Sequence, residues 1–315
     1  MPTLTIRLPV RPVATVILAT VLIGACGPAA ASPVGSADPG SGPPPTASPA
    51  PTSSPGPTVG AIDHKTGATD VVLRLEEGGG FAPMELSASQ APRFTLYGNG
   101  VVVFQPLVNI YPEPDASGVV RAIPWRTAKL DEGQIQDLLD FALGAGGLGA
   151  ARDSYVAGGI ADAGNTIFTI HAGGIDKTVV VNALSEETRP GPDSAARAAF
   201  LRIAERLRDF DRGGTIDSDV YVSDTYRAVL LARDPAAELK PVAWPWPALH
   251  LSDFKEGAND GTDGPKFPHR SLDAGEVAAL GLTDIAGGLQ GLVLEAPDGT
   301  LRTLILRPLL ADERE

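Results

Sequence analysis

Ser252-Asp253-Phe254-Lys255 puts a hydroxyl three residues before an amine. On a helix, a lysine at that spacing lies one turn on and can take the serine proton, the start of acyl transfer. Lys65-Thr66-Gly67 is a second short pattern used by the same penicillin-binding chemistry. The setting argues against it. Pro245 and Pro247 stand just upstream and Gly257 just downstream, which leaves no room for a long helix. The two patterns run in reversed order and Ser-Asp-Asn is missing, so the match is read as chance.

Other chemistry is as thinly supported. There is no Gly-x-Ser-x-Gly elbow, no Gly-x-x-x-x-Gly-Lys-[Ser/Thr] loop and no His-Glu-x-x-His. His64, His171, His250 and His269 stand far apart, with no second histidine at ligand spacing. His171 at a hairpin end and His269 in a polar loop read as solvated residues. The segment Glu256 to Gly264 is acidic and glycine-rich, so Asp260 and Asp263 are weak calcium candidates. The twelfth position counted from Asn259 is Arg270 and not a glutamate, so the EF-hand pattern fails and a solvated loop is the better reading. No catalytic residue, cofactor or firm metal site is assigned. Trp244-Pro245-Trp246-Pro247 is the densest aromatic feature. Residues two apart on an extended chain face the same way, so Trp244 and Trp246 are the candidate binding surface, a stacking platform for a sugar or proline-rich peptide. The competing reading is a packing anchor against a sheet.

The elements that must position these groups read as strands in hairpins with helices between them. Phe94 to Tyr97 and Val101 to Phe104 flank Gly98-Asn99-Gly100, where Asn-Gly suits a tight reversal. Thr166 to His171 and Lys177 to Val181 flank Gly173-Gly174, and Gly291 to Glu295 and Leu301 to Leu306 flank Pro297-Asp298-Gly299. Leu292 with Leu294, and Leu304 with Leu306, share a face as a half-buried hairpin requires. Val71 to Leu75 and Tyr226 to Ala232 read as further strands. Asp131 caps a helix with Ile135, Leu138, Leu139 and Ala142 in one stripe. Asp193 or Ser194 opens a second, striped by Ala196, Phe200, Ile203, Leu207 and Phe210, and Asp273 opens a short third with Val277 and Leu280. The expected class is α+β, with antiparallel β-hairpins and two or three packed helices. Leu130-Asp131-Glu132-Gly133-Gln134-Ile135 echoes Leu272-Asp273-Ala274-Gly275-Glu276-Val277. Either a helix–hairpin unit is duplicated, giving two similar subdomains, or both are simply good helix starts.

The first 25 residues read as a signal peptide. Arg7 and Arg11 precede an apolar run from Val13 to Ala25, shorter than the roughly 20 residues a spanning helix needs. The run ends Ile23-Gly24-Ala25-Cys26, which resembles a bacterial lipobox, and Cys26 is the only cysteine. The resemblance implies that Cys26 becomes the lipidated first residue of the mature chain. A cut within Ala29-Ala30-Ala31 would instead discard it. With no second cysteine, the fold stands on its hydrophobic core without disulfides. Cleavage before Cys26 leaves 23 basic residues against 38 acidic ones, a net charge of −15. That charge argues against nucleic acid or anionic headgroups as partners. Residues 26 to 65 read as a disordered tether, with ten prolines between 27 and 60 among mostly Ser, Thr, Ala and Gly. A domain over 66–212 follows, then a smaller one over 213–315, with Asp211 to Thr215 as the boundary.

From Asp70 to Phe210 the chain resembles an uncharacterised family of bacterial exported lipoproteins. The resemblance is carried by Phe94 to Gly100, Leu130-Asp131, Ala161-Asp162-Ala163-Gly164-Asn165-Thr166 running into Ile167-Phe168-Thr169, and the Ala-rich helix to Phe210. The tail Leu306 to Asp312 adds to it. It implies an antiparallel sheet with helices and no activity. The expected function is a non-enzymatic lipoprotein, held on a membrane by its lipid, that binds or scaffolds an envelope protein or polysaccharide. The alternative is an envelope hydrolase with a non-standard carboxylate site. An enzyme should show perturbed carboxylates converging in one deep pocket, and a binder a shallower, partly apolar patch.

Overall fold

A computed structural model describes residues 60–314, apart from 109, 158–159, 161, 185–190, 236–239 and 257–266. Cys26, the leader, most of the proline-rich segment, and Asp260 and Asp263 lie outside the described residues. The chain forms β1 (Val71–Gly78), α1 (Met84–Ala88), β2 (Phe94–Tyr97), β3 (Val101–Phe104), β4 (Val120–Arg121), β5 (Arg126–Lys129) and α2 (Glu132–Leu143). Then come β6 (Ser154–Tyr155), β7 (Asn165–Ala172), β8 (Ile175–Asn182), α3 (Ser194–Arg208), β9 (Asp219–Val220), β10 (Thr225–Arg233) and β11 (Val242–Ala243). Last are β12 (Lys255–Glu256), β13 (Pro268–Asp273), α4 (Ala274–Ala278), β14 (Leu289–Glu295) and β15 (Leu301–Pro308). The fold is α+β with two mostly antiparallel sheets, ordered β6-β8-β7-β1-β2-β3-β5-β9 and β11-β14-β15-β10-β13-β12, and β4 also pairs with β14. Both belong to one compact unit.

Local chemistry explains the elements that the sequence announces. At the β2–β3 turn the Asn99 side chain accepts from Val101 N at 3.0 Å. Gly100 has φ +83°, and a Cβ there would stand 2.6 Å from Leu130 O, so only glycine fits. Asp131 accepts from Gln134 N at 2.8 Å while Gln134 Oε1 accepts from Asp131 N at 2.9 Å. Asp273 and Glu276 form the same reciprocal cap on α4. The echo stops at the caps. The β7–β8 hairpin joins its sheet through its first strand, against β1, whereas β14–β15 joins through its second, against β10.

Alternation along the strands sorts each sheet into two faces. Leu73, Leu75, Phe94, Leu96, Val102 and Phe104 point one way, under the buried stripes of α2 and α3. Phe210 closes this core, 4.9 Å from Phe94 and 5.3 Å from Phe104 between ring centroids. Each fully buried side chain of this size contributes about 1.5–3 kcal/mol. In the second sheet Tyr226, Ala228, Leu230, Leu304 and Leu306 gather Trp246, Phe254 and Val277 into a separate core.

The other faces of the two sheets meet through charged residues. Arg74 on β1 gives Nη2 to both carboxylate oxygens of Asp312 at 2.7 Å, and the Tyr97 hydroxyl donates to Asp312 at 2.6 Å. Arg307 on β15 forks onto Glu313 at 2.7 and 2.8 Å. Tyr221 and Ser223 donate to Leu309 O at 2.8 and 2.9 Å. The segment after β15 thus lies across the first sheet like a strap. The boundary expected at 212/213 is crossed in both directions, since β9 extends the first sheet from beyond it and β4 joins the second from before it.

Candidate functional site

A cavity of about 730 Å³ is lined by residues of both sheets, Glu77 of β1 and Gln290, Leu306 and Arg307 of β14 and β15 among them. Its first wall is the turn after β1. Only Ala88 of α1 is buried, against Val229, Leu231 and Ile305, so Met84 and Leu86 are left at 59% and 54% exposure. Ser89 accepts from Gln290 of β14 at 2.8 Å, which ties this wall to the second sheet. Gln105, Pro106, Val108, Tyr111 and Pro112, which follow β3, also line it, together with Ile123 and Trp125. Gly287 also lines the cavity, and a Cβ there would meet Ala122 O at 2.4 Å and Ile123 O at 2.5 Å. The two backbones approach as closely as they do because that side chain is missing.

The lining is mostly apolar, with Leu86, Pro106, Val108, Ile123, Trp125 and Leu306 among its residues. The segments carrying Leu86 and Tyr111 also hold Phe81, Leu107 and Ile110 in solvent, at 94%, 56% and 83% exposure. Phe81, Leu86, Leu107, Ile110 and Tyr111 are thus large apolar or aromatic side chains left in solvent on the segments that contribute to the cavity.

The polar groups of the cavity are held in fixed pairs. Arg93 donates from Nε to Glu77 at 3.1 Å and from Nη1 to Gln105 at 2.9 Å. Arg208 of α3 donates to the same Glu77 carboxylate from Nε at 2.7 Å and from Nη2. Glu77 therefore stands between two guanidinium groups. Arg307 also lines the cavity and is 4% exposed, and its Nε is buried without a hydrogen-bond partner. Glu76, the next residue along β1, carries a carboxyl pushed up, first by burial, against the pull of Arg74 and Arg307, and with Glu313 and Asp312 adding to the rise. It belongs to the charged layer and does not line the cavity.

The residues singled out from sequence stand elsewhere. Trp246 is buried, with Nε1 donating to Glu276 O at 2.6 Å, and Trp244 donates to Trp246 O and Leu249 O, each at 2.9 Å. Their rings meet edge to face at 5.1 Å, and both pack on Phe254. The pair anchors its loop to the second sheet and does not form a platform of two parallel rings, because Trp246 is buried and the partly buried Trp244 stands edge to face against it. Ser252 is exposed on a single 3-10 turn, Leu251–Asp253, and Lys255 follows on β12, so no helix sets the amine one turn beyond the hydroxyl. His171 is partly exposed and 2.9 Å from Asp176, its neighbour across the hairpin. Among the described residues no group of three or more His, Cys, Asp or Glu is placed to hold a metal ion, and no helix is long and apolar enough to cross a membrane. Sequence reasoning missed the cavity itself, since residues 79–93 and 105–125 have no periodicity, and the one signal was the unusual density of apolar residues between prolines.

No protein-family model, curated protein or solved structure matches the chain.

Proposed function

We propose that this chain is an extracytoplasmic lipoprotein, anchored through Cys26, whose folded part binds an envelope component in the cavity between its two sheets and does no chemistry on it. The observation that carries the reading is the cavity's make-up: a mostly apolar wall of about 730 Å³ with exposed apolar side chains on its flanking segments. The hydrolase alternative needs a carboxyl or nucleophile free to act inside the cavity. Glu77 is taken up by Arg93 and Arg208, and the carboxyl with the raised value, Glu76, lies in the layer behind. The candidate surface at Trp244 and Trp246 gives way to this one because Trp246 is buried and the partly buried Trp244 packs edge to face on it and on Phe254. The acidic balance of the chain and the absence of a basic run weigh against nucleic acid as the partner.

The test is a photo-reactive side chain placed at Leu86, at Tyr111 and, as a control, at Thr178, in the full chain within its host cells. Adducts at Leu86 and Tyr111 that are missing at Thr178 are the expected result. Equal labelling at all three positions, or none at any, refutes the reading.

A further inference from the structure

We infer that the occupant of this cavity is a single-chain amphiphile, an apolar body ended by one acidic head group, with a long-chain fatty acid as the simplest case. The inference rests on the reading of the cavity as a binding site and goes on to its chemistry. A mostly apolar wall selects a mostly apolar ligand. At about 730 Å³ the space falls within the roughly 300–1,000 Å³ of pockets that enclose one drug-sized molecule, which favours one chain over the two of a bilayer lipid.

The head group follows from what the cavity leaves unsatisfied. Glu77 is one carboxylate facing two guanidinium groups. Two of the three nitrogens of Arg93 donate in its contacts with Glu77 and Gln105. Arg307, more than nine-tenths buried, has both terminal nitrogens on Glu313 and a buried Nε with no partner. At Glu77 two guanidinium groups, Arg93 and Arg208, meet a single carboxylate, a local excess of one positive group in a chain of net charge −13. A local cationic excess inside an acidic protein receives one anionic head and repels polyanions.

The experiment uses the full chain with Cys26→Ala, so that no acyl group is attached, and titrates three ligands of equal chain length: palmitate, hexadecanol and hexadecyltrimethylammonium. Calorimetry gives affinity and stoichiometry, and hydrogen exchange gives the location. The expected result is one palmitate per chain, bound at least about tenfold more tightly than hexadecanol and in preference to the cation. Exchange should slow in 84–91 and 105–112. Arg93→Gln should lower palmitate affinity about tenfold more than it lowers hexadecanol affinity, and an equal loss for both overturns the head-group assignment. Equal affinity for palmitate and hexadecanol overturns the inference, as does protection elsewhere on the chain. Binding to phosphatidylglycerol vesicles without binding to palmitate overturns the single-chain assignment. If Leu86 and Tyr111 give adducts to a protein or polysaccharide while palmitate does not bind, the inference fails and the binding-site reading stands. If neither experiment shows binding, both fail.

Discussion

Asp312→Ala takes away the carboxylate that joins the strap to the first sheet. The Arg74 and Asp312 side chains are 15% and 18% exposed, so more than four-fifths of each is out of water. The substitution leaves the Arg74 guanidinium without the partner of two 2.7 Å contacts, and the Tyr97 hydroxyl, in a residue 1% exposed, without its acceptor. Breaking a buried pair from one side costs about 3–5 kcal/mol, because the remaining charge stays desolvated. Residual water access puts this case near the lower end, about 3 kcal/mol. At about 2–4 °C per kcal/mol for a domain of this size, Tm should fall by about 6–12 °C. Urea denaturation at pH 7, followed by circular dichroism, measures the loss directly. Tyr97→Phe alone should cost about 1.5 kcal/mol, as one hydrogen bond to a charged group, and adding it to Asp312→Ala should cost almost nothing more. A loss below about 1 kcal/mol for Asp312→Ala, or full additivity with Tyr97→Phe, would show that the strap is not held by this carboxylate.

Further outcomes follow from the same geometry. In Glu313, burial works against the charged form, but the Arg307 hydrogen bonds outweigh it and hold the carboxyl below its ordinary value. Its contribution is present above the unfolded Glu value, near about 4.3, and lost as pH falls through the folded one, so Glu313→Gln should be less stable than the parent at pH 7, with the gap closing on acidification. Glu76 has the opposite sign: its raised carboxyl favours folding below the unfolded value and loses that contribution as pH rises through the folded one, so Glu76→Gln should be the more stable chain at pH 7 and equal to the parent in acid, as thermal melts across pH will show. Asp131→Ala and Asp273→Ala should each cost about 1 kcal/mol in urea titrations by removing a helix cap. Trp246→Ala should cost about 3–5 kcal/mol, since it empties a buried site and orphans Glu276 O. Cys26→Ala should move the protein from the membrane fraction to the soluble one, and retention in the membrane would refute the lipoprotein reading.

The local part of this fold was legible because local chemistry sets it. Asn99-Gly100, Gly173-Gly174 and Pro297-Asp298-Gly299 each turn a hairpin where a turn is needed, and the stripe Ile135, Leu138, Leu139 and Ala142 is buried as its period requires. What stayed hidden depends on long-range partners. Arg74 and Glu76 alternate with Leu73 and Leu75, a pattern that a strand with one face in water would give equally well. Their face is covered by a second sheet and by carboxylates more than 200 residues further on, and nothing near them in the chain signals it. The two-residue strands β4 and β9, which cross the expected domain boundary, are too short to show any period. The cavity was invisible for the same reason, its walls being loops held by Gln290, Arg208 and the close approach at Gly287. The Trp244 and Trp246 pair misled because spacing tells which way two side chains point and not what lies on that side.

The strap also sets the order in which this molecule can be finished. Arg74 waits for a partner 238 residues further on, and Tyr97 for the same residue 215 further on. A chain emerging N-terminus first, from a ribosome or a translocation channel, can pair β1, β2 and β3 early, because those contacts are short in sequence. It cannot cover the far side of that sheet until Leu309 to Glu313 have emerged. Until then Val103 and Trp125, which cluster with Leu310 and Ala311, lack that cover on a half-built sandwich. Closing loops of that length is slow, and the uncovered apolar surface is exposed to aggregation for as long as closure takes. Completion is therefore tied to release of the chain through residue 313, and a chain cut short before residue 309 should stay collapsed and sticky however well its first sheet has formed.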